Sequence, residues 1–157
     1  MSKFHLKNFF KADYDLMLVF LQFFIISLYF FRCEFLPQKQ IIQASPFSYF
    51  LGILIIIIAF IIMLVSIKDL GRNLSPFPRP INNSYLVTKG IYRFSRHPMY
   101  YSLIFISIGV LIIKLSIYYL FLTLSLAIVI KFKIDLEEKY LMNKFKNYLL
   151  YKNEVKI

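Results

Sequence analysis

Two polar clusters stand out in an otherwise apolar chain. The first is Lys89-Gly90-Ile91-Tyr92-Arg93-Phe94-Ser95-Arg96-His97-Pro98-Met99-Tyr100-Tyr101, which opens directly into an apolar run. Pro98 suits the first position of a helix, where a missing N–H leaves nothing unsatisfied. His97 then stands at the helix mouth, where backbone N–H groups point outward and the dipole favours an anion. Arg96 and His97 add side-chain donors, so the segment can clamp a carboxylate or phosphate at membrane depth. Taken alone, Arg-His-Pro ahead of a membrane helix is also what a basic interfacial flank looks like.

The second cluster is Asp135, Glu137 and Glu138, three of only eight acidic residues. Adjacent helical carboxylates diverge by about 100°, so Glu137 and Glu138 need not face one site. One of them can receive a ligand's amino group or ribose hydroxyls. By itself the cluster is equally a helix-start preference for acids, worth a few tenths to about 1 kcal/mol. Joined, the two clusters offer donors for an anion and acceptors for a cation or a sugar. Tyr92, Tyr100, Tyr101, Tyr148 and Tyr151 would add aromatic walls, over which a cation gains roughly 0.5–2 kcal/mol. Methyl donation from a sulfonium needs such a place, because it depends on alignment and dryness more than on acid–base groups. No metal cluster, nucleophilic triad, phosphate-binding loop or dinucleotide fingerprint occurs.

The elements that position these residues are membrane helices. The chain is 59% hydrophobic, with 18 Phe and 12 Tyr in 157 residues, more apolar than a water-soluble domain can hide. Four apolar runs predict spans near 16–36, 47–67, 98–113 and 115–131. One helix across the last two would be about 50 Å long against a hydrocarbon core of about 30 Å, so a hairpin near Lys114 is expected. Phe30-Phe31-Arg32-Cys33-Glu34 offers no small-residue cleavage site, so the first run reads as a retained anchor. Cys33 is the only cysteine, which excludes an internal disulfide and reads as packing.

Charge sets the topology. Net charge is +11, and the basic residues flank the apolar runs, as at headgroups rather than on nucleic acid. With four spans, 16 of the 19 Lys and Arg fall on one side; only Arg32, Lys39 and Lys114 fall on the other. Positive-inside bias then places both termini, the loop 69–97 and the tail in the cytoplasm. The loop's prolines, Pro76, Pro78 and Pro80, favour an extended path. In the tail, Leu141, Phe145 and Tyr148 recur at i, i+4 and i+7. They predict an amphipathic helix over 133–152, lying at the interface or covering the loop. The fold class expected is thus all-α: about four transmembrane helices, a C-terminal helical hairpin and an amphipathic cytosolic tail helix, in a single domain.

At these residues the sequence resembles the isoprenylcysteine carboxyl methyltransferase and phospholipid methyltransferase superfamily of membrane enzymes. The resemblance lies in Leu70-Gly71-Arg72-Asn73-Leu74-Ser75-Pro76, in Leu86 to Tyr100 with its Arg96-His97-Pro98-Met99-Tyr100, and in Glu137-Glu138 followed by Tyr140-Leu141, Phe145, Tyr148 and Tyr151. It covers roughly Leu70 to Val155. It implies S-adenosyl-L-methionine as cofactor, held by Gly90, Tyr92, His97, Tyr100, Glu137 and Glu138, with Arg96 as the catalytic residue near the reacting end. Glu137 and Glu138 would bind cofactor polar groups or order the arginine region. The acceptor would be lipophilic: an isoprenylcysteine carboxylate, a phospholipid amine or a small hydrophobic molecule. Two departures occur: Ser102 where the family has a close-packed Gly, and Lys146 where a Gly follows the tail Phe. The alternatives are an NADPH-dependent membrane reductase of related architecture and a non-catalytic small membrane protein.

Overall fold

The computed structural model describes residues 2–30 and 44–156, with side chains from residue 13 onward. Cys33 and the end of the first expected span lie outside the described residues. Among those described, the chain is all helical: α1 (Ser2–Leu28), α2 (Pro46–Leu70), α3 (Pro98–Lys114), α4 (Ile117–Lys144) and α5 (Tyr148–Glu154). Short 3-10 turns at Gly71–Asn73 and Gly90–Arg93 interrupt the loop between α2 and α3. The segments Pro46–Asn73 and Ile117–Lys144 are long and apolar enough to cross a membrane, and Pro98–Lys114 is a shorter apolar helix. The protein is an all-α membrane protein. The outer side of α2 carries Phe50, Ile57 and Ile61, each more than half exposed, as a surface in contact with lipid would be.

The helices pack in the order α1, α4, α3, α2. Between α1, α4 and the start of α3 lies a core of Leu18, Ile25, Tyr100, Leu122, Leu126 and Ile130. The α2–α3 contact is antiparallel and rests on two glycines. A Cβ on Gly52 would lie 2.7 Å from the Gly109 carbonyl oxygen, and one on Gly109 would lie 2.8 Å from that of Gly52. With no hydrophobic drive between helices in lipid, such backbone-to-backbone closeness supplies the association.

The hairpin turns at Leu115, which adopts the left-handed conformation at φ 43°, and Ser116 then caps α4 by accepting from the Tyr118 N–H at 3.3 Å. The tail differs from the expected helix over 133–152. No Gly or Pro falls between Ile130 and Lys144, so α4 continues unbroken from the membrane to Lys144. The chain then turns through Phe145–Asn147 and folds back as α5. The periodicity of Leu141, Phe145 and Tyr148 still holds as a contact: Tyr148, Tyr151 and Val155 form a small core with Leu86, Leu141 and Phe145. Folding back buries these rings, and a straight helix would have left them in water.

Candidate active site

The loop, the mouth of α3 and the tail converge at one end of the bundle. Pro98 is the first residue of α3, with His97 as its N-cap, as its type and position require. The His97 carbonyl accepts from the Tyr100 and Tyr101 N–H groups, both at 3.1 Å, which locks the entry to the helix. His97 is buried, and its ring stacks on Tyr100 with centroids 5.9 Å apart. Ser102 lies one turn along, 1% exposed, its hydroxyl donating to the Pro98 carbonyl at 2.8 Å. The site tolerates Ser because that hydroxyl is satisfied within the helix.

Glu138 is the hub joining the α3 mouth to the tail. Its Oε1 accepts from Arg96 Nε at 3.0 Å and Nη2 at 2.9 Å and lies 3.4 Å from His97 Nε2, while Oε2 accepts from Lys152 Nζ at 2.6 Å. The contact with His97, reinforced by Lys152 and Arg96, holds the Glu138 carboxyl far below the usual carboxylate range. Arg96 also donates to the backbone carbonyls of Lys152 and Val155, so one guanidinium ties loop, α4 and α5 together.

Glu137 has the opposite environment. It lines a cavity of about 80 Å³, together with Tyr92, His97, Met99 and Tyr100 from the loop and α3, and Leu141, Phe145, Tyr148 and Tyr151 from the tail. The remaining wall comes from the proline-rich loop, including Asn73, Ser75, Phe77 and Arg79. Enclosure by protein raises the Glu137 carboxyl above its ordinary value, against the pull of His97, Tyr100 and Lys133. Burial also pushes the Tyr151 phenol up to about 12; its hydroxyl donates to the Tyr92 carbonyl at 2.5 Å. Tyr148 is 1% exposed, and its buried hydroxyl has no hydrogen-bond partner among the described residues.

The loop over the cavity is pinned at several points. Asn73 bridges to the Tyr85 backbone with both ends of its amide, at 2.9 and 3.3 Å. Lys144 donates to the Ile81 and Asn82 carbonyls and the Ser84 hydroxyl. Arg79 pairs with the buried Asp15 at 3.3 Å, and Tyr140 donates to the same carboxylate at 3.0 Å. Lys133 is almost fully buried and donates to Gln22 at 2.6 Å and to the Pro76 carbonyl at 3.0 Å, with its charge 5.3 Å from the Tyr100 ring centre.

The residues singled out by sequence therefore divide. Tyr92, His97, Tyr100 and Glu137 share the cavity wall. Arg96 also borders it, but its guanidinium is committed to Glu138 and the tail carbonyls rather than free near a reacting group. Glu138 is not on that wall and serves as the ion-pair hub. Gly90 is off the wall as well. At φ +62° its Cβ would fall 2.0 Å from an Asp69 carboxylate oxygen, and that carboxylate accepts from the Ile91 N–H at 2.8 Å. Its role is to let the loop close against the end of α2. Asp135 pairs with Lys131 on the exposed face at 2.7 Å, away from the site. Tyr101 is not among the residues lining the cavity. Sequence reasoning missed Lys133, Gln22 and Asp15. Gln22 was visible as a polar break inside an apolar run, the type of residue that buried polar contacts at membrane depth require.

The phospholipid methyltransferase family matches this chain over residues 47–148, from the start of α2 to the first residue of α5. The chain belongs to that family. No curated protein and no solved structure matches it. The match to the phospholipid methyltransferases includes α2, which the sequence alone had marked only as a generic span, and it takes in every cavity residue named above except Tyr151. A membrane methyltransferase is the coarse function this membership supports.

Proposed function

We propose that the protein transfers a methyl group from S-adenosylmethionine to a lipophilic acceptor at the cytosolic membrane face, with a phospholipid amine the class its family favours. The observation that carries this reading is that Glu137 and the Tyr148 hydroxyl, unpartnered among the described residues, line one aromatic cavity. A buried phenol without a partner is destabilising by roughly 1–3 kcal/mol. A ligand bearing an acceptor atom removes that deficit. A raised, half-buried carboxylate is relieved in the same way by a cationic ligand.

These residues fit the cofactor. Glu137, Tyr92, Tyr100 and Tyr148 would hold its cationic and polar groups, and His97 at the α3 mouth would face its carboxylate. When bound, S-adenosylmethionine supplies an electrophilic methyl group on a sulfonium. The chain's own part is to bind, align and keep water out. The tyrosines offer ring faces to positive charge, Glu137 balances it, and the pinned loop covers the cavity. Arg96 and Glu138 are positioning residues that fasten α5 over the site. Four spans with both termini cytoplasmic place the cavity where a soluble cofactor enters from the cytosol and a lipid from the bilayer.

Titration of the purified protein with S-adenosylhomocysteine, beside NADPH, tests this. Saturable binding of the first, weakened at least about tenfold in Glu137→Gln and His97→Ala by loss of a charge-assisted contact, is the expected result. Binding of NADPH alone would favour a reductase, and binding of neither a non-catalytic protein.

A further inference from the structure

We infer that the outer face of α5 docks on anionic lipid headgroups of the leaflet at the cavity end, making the tail an interfacial anchor. The inference rests on the membrane reading above for the placement of the helices, but not on methyl transfer.

Seven residues make α5, and its first four, Tyr148 to Tyr151, are apolar or aromatic. Tyr148 and Tyr151 face inward and are buried, whereas Leu149 and Leu150 are 59% and 64% exposed. Phe94, two residues before the arginine that holds the tail, is 77% exposed. Arg93, Lys146 and Lys156 are exposed, and Glu154 is the one exposed acid on α5. Leu150 lines a single open groove with Arg93, Lys146 and Glu154. An exposed leucine beside Arg93, Lys144 and Lys146 matches a surface that is apolar below and anionic above.

Depth supports the same occupant. The 17 residues of α3 span only about 26 Å, short of a hydrocarbon core of about 30 Å. Its mouth at His97–Pro98 therefore stays within the headgroup boundary. Arg96, beside that mouth, binds the carbonyls of Lys152 and Val155, which sets the end of α5 at the same level. A soluble acidic partner or a second copy would meet the cations but would have to reach them through the headgroups. Each basic side chain near an anionic leaflet favours docking by roughly fivefold. With its outer face anchored, α5 presents Tyr148 and Tyr151 to the cavity.

The chain has no Trp, so Leu150→Trp creates a single reporter. The full chain would be placed in phosphatidylcholine vesicles, with or without phosphatidylglycerol, carrying brominated acyl chains. Quenching several-fold stronger in the anionic vesicles is expected, weakened by salt and lost in Lys146→Glu/Lys156→Glu. Leu149→Trp should behave alike, guarding against a local fault at one position. Equal quenching in both compositions, no quenching in either, or a signal that follows protein density rather than lipid charge would overturn the anchor. This readout needs no cofactor. Its failure leaves the methyltransferase reading standing, and failure to bind S-adenosylhomocysteine leaves the anchor standing.

Discussion

Glu137 and Glu138 are neighbours, yet neutralising them should move stability in opposite directions. Glu138→Gln removes the counter-charge of Arg96 and Lys152, contacts of 2.9 and 2.6 Å around a side chain 9% exposed. Breaking a buried pair costs about 3–5 kcal/mol. Lys152 keeps 35% of its side chain in water, which discounts the loss to roughly 2–4 kcal/mol. In detergent this should lower the unfolding midpoint by roughly 5–15 °C for a chain of this size. The folded carboxyl lies far below the unfolded one, so its stabilisation is complete above a pH of about 4.3 and fades as pH falls toward the folded value. The variant should therefore lose the wild type's decline in stability below that pH. Glu137 has the reverse sign. Its raised carboxyl makes the ionised form unfavourable at neutral pH, so Glu137→Gln should leave the midpoint unchanged or higher while ligand binding falls. Thermal unfolding across pH, alongside S-adenosylhomocysteine titration, reads both. A Glu138→Gln midpoint within about 2 °C of wild type, or a Glu137→Gln midpoint well below it, would refute the assignment of hub and ligand-facing carboxylates.

Other substitutions address the remaining elements. Tyr148→Phe removes a buried hydroxyl that is unpartnered among the described residues, so stability should hold or rise by up to about 3 kcal/mol, while S-adenosylhomocysteine binding weakens; unchanged binding would remove the hydroxyl from the site. Gly52→Ala places a methyl 2.6 Å from Ile113 Cγ1 and 2.7 Å from the Gly109 carbonyl. It should cost roughly 1–3 kcal/mol by overpacking, seen as a lower midpoint in detergent. Leu115→Gly relieves the left-handed turn of the hairpin and should stabilise by up to about 1 kcal/mol; a clear loss would show that the Leu115 side chain outweighs its backbone strain. Arg96→Ala should lower both stability and turnover, because one side chain holds α4 and α5 to the loop. Full stability with lost turnover would instead mark Arg96 as acting on the reacting groups.

Composition and hydropathy determined that this is a helical membrane protein, because a bilayer is the only solvent for runs such as Phe47–Ile67. Local chemistry likewise determined the start of α3, since Pro98 tolerates only the first turn, and it placed the polar clusters at the span ends. Which carboxylate does what was beyond the sequence. Glu137 and Glu138 are chemically identical and adjacent, and only the rotation of α4 decides that one meets the cavity and the other meets Arg96. The same applies to Arg96, whose carbonyl partners at Lys152 and Val155 exist only because the tail folds back. Lys133 reads as one more tail lysine until α1 brings Gln22 to within 2.6 Å of it. Identity and spacing along a helix fix what a side chain can do; its partners come from other elements, and those contacts form only when the bundle assembles.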